Sequence, residues 1–234
     1  MKSTIQDKGK LVNSVFSEVH TKYDLMNDIM SLGVHRIWKD KFIEWMNPQP
    51  NTKLIDVASG TGDIAKLFFD KSKETSEIVC VEPNVKMLKQ GQNKLGKYKN
   101  IKWINSHAEK IPVNDDTFDY YSISYGIRNV TNINFALKEA LRVLKPGGRF
   151  MCLEFSKIDN EILNFLYKQY SKTIPYLGKM IVGTDKPYKY LIDSIEKFYG
   201  SIELAELLEK SGFSNIEYRT LSNGISAIHS GWKI

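Results

Sequence analysis

The sequence predicts an α/β fold built on a doubly wound, mostly parallel β-sheet and preceded by a helical cap. From residue 53 onward, short apolar runs alternate with amphipathic stretches, which is typical of repeated strand–helix units. Right-handed crossovers between such units place helices on both faces of the sheet. Residues 8–47 carry apolar side chains at helical spacing. The last two strand-like runs have only a short connection between them, which favours a hairpin with one antiparallel strand.

Seven short runs are predicted as strands. In chain order they are KLIDVA at 53–58, EIVCVE at 77–82, IKWINS at 101–106, FDYYSISY at 118–125, RFMCLEF at 149–155, SNIEYRTL at 214–221 and GISAIHSGW at 224–232. The predicted helices between them are DIAKLFFDK at 63–71, VKMLKQGQNKL at 85–95, INFALKEALRVL at 133–144 and SIELAELLEKSG at 201–212. Pro146 and the two glycines after it are expected to stop the third of these helices.

We expect a single domain over residues 1–234. Residues 1–50 form its N-terminal helical cap, which the segment NPQPN at 47–51 ends. Residues 157–200 interrupt the strand–helix rhythm, are rich in Tyr, Lys and Ile, and are predicted as a helical insertion.

Composition excludes several classes of protein. The chain has 234 residues, 42% of them hydrophobic, which suffices for a full core. It shows no apolar stretch of about 18 residues and no secretory h-region, so we expect a cytoplasmic protein. The net charge of +6 is scattered rather than clustered, and nucleic acid is not an expected partner. Cys80 and Cys152 lie in strand-like runs away from any Cys/His cluster, so no metal site is expected.

The segment LIDVASGTGDIA at 54–65 places a glycine turn between the first strand and the first helix. Gly60, Gly62 and Ala65 loosely satisfy a dinucleotide fingerprint. Asp56 and Asp63 argue against it, because two carboxylates would repel a pyrophosphate. They suit the ammonium and the sulfonium of S-adenosylmethionine, which carries no phosphate. The glycines allow the backbone to approach such a cofactor closely.

Polar residues also follow the second and third strands. Glu82 ends the second strand, where an acid accepts hydrogen bonds from ribose hydroxyls with either kind of cofactor. His107, Ala108 and Glu109 follow the third strand, at the edge of the sheet where ligands of such folds bind.

These motifs, in this order, resemble the class I methyltransferase series: DVASGTGD, an acid after the second strand, AEKIP, FD and RVLKPGG. The resemblance implies a seven-stranded sheet whose final strand is antiparallel. Three further stretches, YDLMNDIMSLGVHRIW at 23–38, SISYGIRNVTN at 122–132 and RVLKPGGRFMCLEFS at 142–156, resemble the ubiquinone/menaquinone biosynthesis C-methyltransferase family. That similarity runs from about residue 10 to the C-terminal Gly-Trp.

The family resemblance implies methyl transfer from S-adenosylmethionine to a ring carbon of a polyprenylated benzoquinol or naphthoquinol. It carries cofactor binding over to Thr61, Glu82, His107, Ala108 and Ser124, beside the glycine turn and its two acids. Two positions depart from the family pattern: Glu82 stands where Asp is common, and His107 where Asn or Asp is usual. A histidine at that position would make cofactor binding sensitive to pH.

Methyl transfer from a sulfonium needs alignment and a more nucleophilic ring carbon, but no covalent enzyme intermediate. Arg128 and Asn129 follow the fourth strand, and Arg128 is expected to stabilise a developing phenolate, directly or through an ordered water. Tyr23 and Asp24, from the cap, are the candidates for passing the proton. His35 and Trp38 either take part in this site or only pack the cap against the sheet.

The expected partner is the polyprenylated quinol, presented at the inner-membrane surface or by a complex of quinone-biosynthesis enzymes. Residues 163–191 mix Tyr, Leu, Ile and Lys, which suits either a lipid-lined channel or ordinary core packing. A homodimer is left open. Three other functions remain: methylation of another lipophilic phenol or a sterol, an NAD-dependent oxidoreductase, and a non-catalytic scaffold of a quinone-biosynthesis complex.

Overall fold

The structure is a computed structural model of the chain. It describes residues 33–158 and 183–234 continuously, together with positions 9, 12, 14, 17, 28, 31, 161, 165, 167, 169, 170, 173–176 and 179. The elements below are numbered within these residues. The strands are β1 Lys53–Val57, β2 Glu77–Val81, β3 Ile101–Ile104, β4 Phe118–Ser124, β5 Leu144–Phe155, β6 Ser214–Leu221 and β7 Ser226–Trp232. The helices are α1 His35–Met46, α2 Asp63–Lys71, α3 Val85–Leu95, α4 Ile133–Val143, α5 Lys186–Glu196 and α6 Ser201–Lys210.

The seven strands form one sheet in the order β3-β2-β1-β4-β5-β7-β6. Strands β1 to β5 pair in parallel, and β7 runs antiparallel to both of its neighbours, β5 and β6. The predicted doubly wound sheet and its antiparallel final strand are therefore confirmed. Strand order reverses between β1 and β4, and ligands of such sheets bind at the carboxyl edge of that switch point.

Both faces of the sheet are covered, because neighbouring residues of a strand point to opposite sides. Ile55 belongs to a core cluster that includes Leu137 of α4 and Leu208 of α6. Its neighbour Leu54 belongs to a second cluster with Phe42 of α1 and Phe68 of α2. This two-sided burial explains why the central strands read as nearly continuous apolar runs.

One strand begins earlier than the sequence suggests. Helix α4 ends at Val143, as the Pro-Gly-Gly segment predicts, but β5 already begins at Leu144 rather than at Arg149. Leu144 pairs with Phe118, and the register then shifts before Tyr120 pairs with Arg149. The proline and the two glycines form an irregularity within a paired strand.

The helix that precedes the sheet is anchored at the carboxyl edge. Trp38 of α1 donates from Nε1 to Oγ of Ser222 at 3.0 Å and meets the Phe155 ring edge-on, with ring centroids 6.1 Å apart. His35 is buried, and its Nδ1 lies within hydrogen-bond distance of Oγ of Ser31, at 2.9 Å. The structure thus favours the packing interpretation for Trp38 and His35.

Part of the predicted insertion is described. Helix α5 contributes Tyr188 and Leu191 to a small apolar cluster with Ile174. Phe165 and Tyr176 of the same segment are exposed. Among the described residues, no helix has both the length and the apolar character that crossing a membrane requires.

Candidate functional site

The glycine turn leaves the carboxyl end of β1 and leads into α2. Gly60 and Gly62 have φ values of 58° and 85°, in the left-handed region that glycine adopts at little cost. A Cβ atom on Gly62 would lie 2.6 Å from Cδ1 of Leu95. The two glycines are therefore required by backbone conformation, and Gly62 also by the close packing of α3.

A pocket opens at this turn and brings five of the sequence-predicted residues together: Asp56, Gly60, Thr61, Asp63 and Ser124. Its remaining lining residues are Lys39, Ala58, Ser59, Ile64 and Tyr125. Ala58 and Tyr125 directly follow β1 and β4, and both have positive φ, of 52° and 54°. Strained backbone of this kind is concentrated at functional sites, although nothing in the sequence identifies these two positions.

Asp56 is buried at the end of β1 and accepts a 2.6 Å hydrogen bond from Oγ of Ser122. Burial raises the pKa of Asp56 to about 7, against the opposing effect of that hydrogen bond. Its Oδ2 atom has no hydrogen-bond partner among the described residues, and neither has the buried Oγ of Ser124. Unsatisfied buried oxygens in a pocket wall are suited to a ligand that donates hydrogen bonds.

Asp63 is not available as a free charge, contrary to the sequence-based argument. Its Oδ2 lies 2.7 Å from Nζ of Lys39, and its Oδ1 lies 2.6 Å from Nζ of Lys94. Burial tends to raise the pKa of Asp63, but the two ammonium groups outweigh it and hold the pKa well below its usual range. The pocket is therefore less negative than its two aspartates suggest.

Glu82 connects the second strand to the glycine turn. Its Oε2 accepts from the backbone N–H of Gly60, and its Oε1 from that of Asn84, both at 2.8 Å. Burial raises the pKa of Glu82 to about 7, although both hydrogen bonds favour the ionised form. A carboxylate has about four acceptor sites, so Glu82 retains capacity for ribose hydroxyls.

The loop after β3 is tied to the same edge but does not line the pocket. Asn105 donates from Nδ2 to the backbone oxygen of Glu82 at 2.8 Å. His107 is exposed, whereas Ala108 is buried in the core cluster of α4 and α6. Their predicted roles in adenine binding stay predictions.

Arg128 and Asn129 lie in a short helical turn after β4, and Arg128 lines a second pocket. Arg128 is buried, and its Nη1 donates to the backbone oxygen of Tyr125 at 2.8 Å and to Oε1 of Glu154. Asn129 accepts from the hydroxyl of Tyr190 at 2.9 Å. The second pocket has a volume of about 460 Å³. Its lining residues are Ile127, Arg128, Val130, Thr131, Ile133, Tyr190, Asp193, Ser194, Lys197, Phe198 and Tyr199.

Glu154 was missed by the sequence-based prediction. It lies near the end of β5, is buried, and forms an ion pair with Arg128. Burial raises its pKa, and the arginine opposes that rise. A signal was present, because an acid within the apolar run RFMCLEF requires a partner when it is buried.

The predicted proton-transfer residues Tyr23 and Asp24 lie outside the described residues. Two described positions before them lie beside the carboxyl edge. Ser17 accepts at 2.8 Å from Nδ2 of Asn84, which caps α3 after β2. A Cβ atom built on Gly9 would lie 3.7 Å from Oγ1 of Thr131, after β4.

Comparisons with known proteins agree with this fold. Similar solved structures include a methyltransferase of Thermotoga maritima described as a possible histamine N-methyltransferase, at a TM-score of 0.67 and 19% identity, covering 95% of this chain and 100% of that one. Another is an S-adenosylmethionine-dependent methyltransferase of Aquifex aeolicus, at a TM-score of 0.62 and 16% identity, covering 84% and 89%. At such identities these two structures establish the fold alone.

Sequence relatives are much closer. A ubiquinone/menaquinone biosynthesis C-methyltransferase of Rickettsia bellii is 48% identical and covers 97% of this chain and 94% of its own length. The enzyme of the same name from Brucella anthropi is 46% identical and covers 97% and 89%. The model of the ubiE/COQ5 methyltransferase family matches residues 2–233. The chain therefore belongs to the ubiE/COQ5 methyltransferase family.

Proposed function

We propose that the protein transfers the methyl group of S-adenosylmethionine to a ring carbon of a polyprenylated benzoquinol or naphthoquinol in ubiquinone or menaquinone biosynthesis. The observation that carries the proposal is the family match over residues 2–233, with two relatives named as ubiquinone/menaquinone biosynthesis C-methyltransferases at 46% and 48% identity. Membership in a methyltransferase family argues against the alternative of an NAD-dependent oxidoreductase.

The residues at the sheet edge fit the cofactor. When bound, S-adenosylmethionine supplies an electrophilic methyl group. Glu82 has acceptor capacity for the ribose hydroxyls, and Thr61 with the two glycines of the turn brings the backbone close to the ligand. The unsatisfied oxygens of Asp56 and Ser124 line the pocket beside them. His107 and Ala108 remain the candidates for the adenine edge.

Arg128 and Asn129 are proposed to act on the quinol. A guanidinium has donors but no acceptor, so Arg128 stabilises a phenolate rather than removing a proton. Its pairing with buried Glu154 fixes the guanidinium at the end of β4. Tyr190 lines the second pocket, and its hydroxyl fixes the amide of Asn129 by donating a hydrogen bond to it. Tyr23 and Asp24 remain the candidates for passing the proton.

The role of Arg128 is tested with Arg128→Lys, which keeps a positive charge beside Glu154 but loses the planar guanidinium. We expect kcat to fall by about 10²-fold or more, while the Kd for S-adenosylhomocysteine stays unchanged. Loss of cofactor binding instead would place Arg128 in the cofactor site and contradict its proposed role.

Catalysis is tested directly by incubating the purified protein with S-adenosylmethionine and a short-chain demethylated benzoquinol or naphthoquinol, with the products analysed by mass spectrometry. Methylation at carbon of either ring is the expected result. Binding of S-adenosylhomocysteine without turnover on either ring would favour the non-catalytic scaffold. Methylation only of an unrelated phenol or sterol would favour the other small-molecule methyltransferase. Complementation of a strain that lacks quinone methylation identifies the ring used in the cell.

The polyprenyl tail requires contact with lipid. We propose that this cytoplasmic protein reaches its substrate at the surface of the inner membrane, with a complex of quinone-biosynthesis enzymes as the alternative route. The exposed Phe165 and Tyr176, together with the net charge of +6, support a membrane surface. Liposome flotation with and without anionic lipid tests this, and absence of co-flotation in both cases would favour the complex.

A further inference from the structure

Lys39 is a buried basic residue in the wall of the first pocket. It projects from α1 of the helical cap, and its side chain is only 11% exposed. Among the described residues that line this pocket, it is the only one with a positive charge. Burying an ammonium group is costly unless the group is paired. The groups that pair with Lys39 therefore indicate its role in the pocket.

The pairing of Lys39 leaves positive charge unbalanced. Asp63 carries one negative charge and lies between Lys39 and Lys94, which carry two positive charges. Asp56, the other acid of the pocket, has a pKa of about 7, so it adds only about half a negative charge near neutrality. The pocket therefore retains positive charge on the side of Lys39, although its function requires binding a cationic cofactor.

The position of Lys39 is fixed by its neighbours. Trp38 anchors α1 to Ser222 and Phe155, and Phe42, on the same face of α1, is fully buried. An ammonium group has three donors, and within the described part of the chain Nζ of Lys39 donates a hydrogen bond only to Asp63. Two donors thus remain for an acceptor that enters the pocket.

We infer that Lys39 binds the carboxylate of the methionine half of S-adenosylmethionine, and that Asp63 is the positioning residue that holds Lys39 in the pocket. The inference rests on the proposed function, which supplies the cofactor. The carboxylate is the one anionic group of that cofactor, and it matches the unbalanced charge. The N-terminus of α2, at the glycine turn, favours an anion at the same place.

The alternative is that Lys39 only ties the helical cap to α2. The two roles are separated with three ligands: S-adenosylhomocysteine, which has the carboxylate; decarboxylated S-adenosylmethionine, which lacks it but keeps an ammonium; and methylthioadenosine, which lacks both. Calorimetry measures the Kd of each ligand for the wild type, for Lys39→Met and for Lys94→Met. Lys94 is the matched control, because it forms the same kind of bond to Asp63 without lining the pocket.

For Lys39→Met we expect a loss of affinity for S-adenosylhomocysteine of about ten- to hundredfold, as for one hydrogen bond to a charged group. The Kd for methylthioadenosine should change by no more than about twofold, because this ligand lacks both charged groups of the methionine half. Decarboxylated S-adenosylmethionine should not bind more weakly, because the variant removes a positive charge that repels its ammonium. Lys94→Met should show no such difference between the ligands. Lys39→Gln provides the same comparison if the methionine variant does not fold.

Equal losses for all three ligands with a folded Lys39 variant would overturn the inference and make the residue a structural tie. Unchanged affinity for S-adenosylhomocysteine would also overturn it. If the wild type binds none of the three ligands, the proposed function fails instead, so the two failures are distinguishable.

Discussion

Cofactor affinity should depend on pH through Glu82. The carboxyl of Glu82 is buried, and its pKa is raised to about 7 in the free protein. Ribose hydroxyls donate to the ionised form, so only the ionised carboxyl binds well. The pKa should therefore fall on binding, and binding at pH 6.5 should release protons.

The magnitude follows from that pKa. If only the ionised form binds, the observed affinity falls by about twofold at pH 7 and about elevenfold at pH 6, but hardly at pH 8. S-adenosylhomocysteine should thus bind about ten times more weakly at pH 6 than at pH 8. Asp56, whose pKa is also about 7, would steepen this dependence if its ionised form is needed as well.

Calorimetry of S-adenosylhomocysteine at pH 6, 7 and 8, in buffers with different ionisation enthalpies, measures both the Kd and the protons released. Glu82→Gln should bind more weakly at pH 8 and show a smaller change with pH. His107→Asn is the control, because His107 is exposed in the loop after β3 and is the residue that the sequence predicts to make cofactor binding sensitive to pH. A Kd that stays flat in the wild type, or a pH dependence that disappears in His107→Asn, would refute the assignment to Glu82.

Three further predictions concern stability, measured by urea denaturation. Replacing either Arg128 or Glu154 leaves the other residue as a buried charge without this ion pair and should lower the free energy of unfolding by about 3–5 kcal/mol. Replacing both should lower it by less than the sum of the two single losses, and additive losses would argue against coupling. Gly62→Ala should lower the free energy of unfolding by about 2–5 kcal/mol, because the new methyl group adds backbone strain and overlaps with Leu95. Gly147→Ala has a similar φ but open space around it, so it should lose only about 1–2 kcal/mol. Equal losses would contradict the packing argument. Burial lowers the pKa of His229 to about 4, so the unfolded chain takes up this proton at a higher pH than the folded one. The free energy of unfolding should therefore fall by about 3 kcal/mol between pH 6.5 and pH 4. His229→Gln should show a smaller fall over the same range.

The sheet could be predicted from the sequence because its strands are buried on both faces. Their apolar runs are short and bounded by turn residues, and all seven predicted runs match strands of the structure to within a few residues. The main deviation, the early start of β5, depends on pairing between Leu144 and Phe118. Such pairing joins residues distant in the chain and leaves no local pattern.

The charges of the site were less predictable. Asp56 and Glu82 could be placed from the strand ends, but their raised pKa values come from surroundings that only the folded chain supplies. The sequence did contain a signal for Lys39 and Glu154, since each is a charged residue at a position where the pattern predicts a buried apolar one. Lys39 follows His35 by four positions and precedes the buried Phe42 by three, on the buried face of α1. Their partners, however, are far away in the sequence.

Ionisation of Asp56 and ionisation of Glu82 should have different effects on the affinities for S-adenosylmethionine, the methyl donor, and S-adenosylhomocysteine, its demethylated product. Both forms have the same ribose, so the effect of Glu82 cancels in the ratio of their affinities. Only S-adenosylmethionine carries a sulfonium, and an ionised carboxylate in the pocket that we propose for its methionine half should stabilise that charge. Because the pKa of Asp56 is about 7, the preference for S-adenosylmethionine over S-adenosylhomocysteine should increase by about tenfold from pH 6 to pH 8. Asp56→Asn, which can still accept the hydrogen bond from Ser122, should abolish this change while the shared pH dependence remains. A ratio that does not vary with pH in the wild type would show that the charge of Asp56 does not act on the sulfonium.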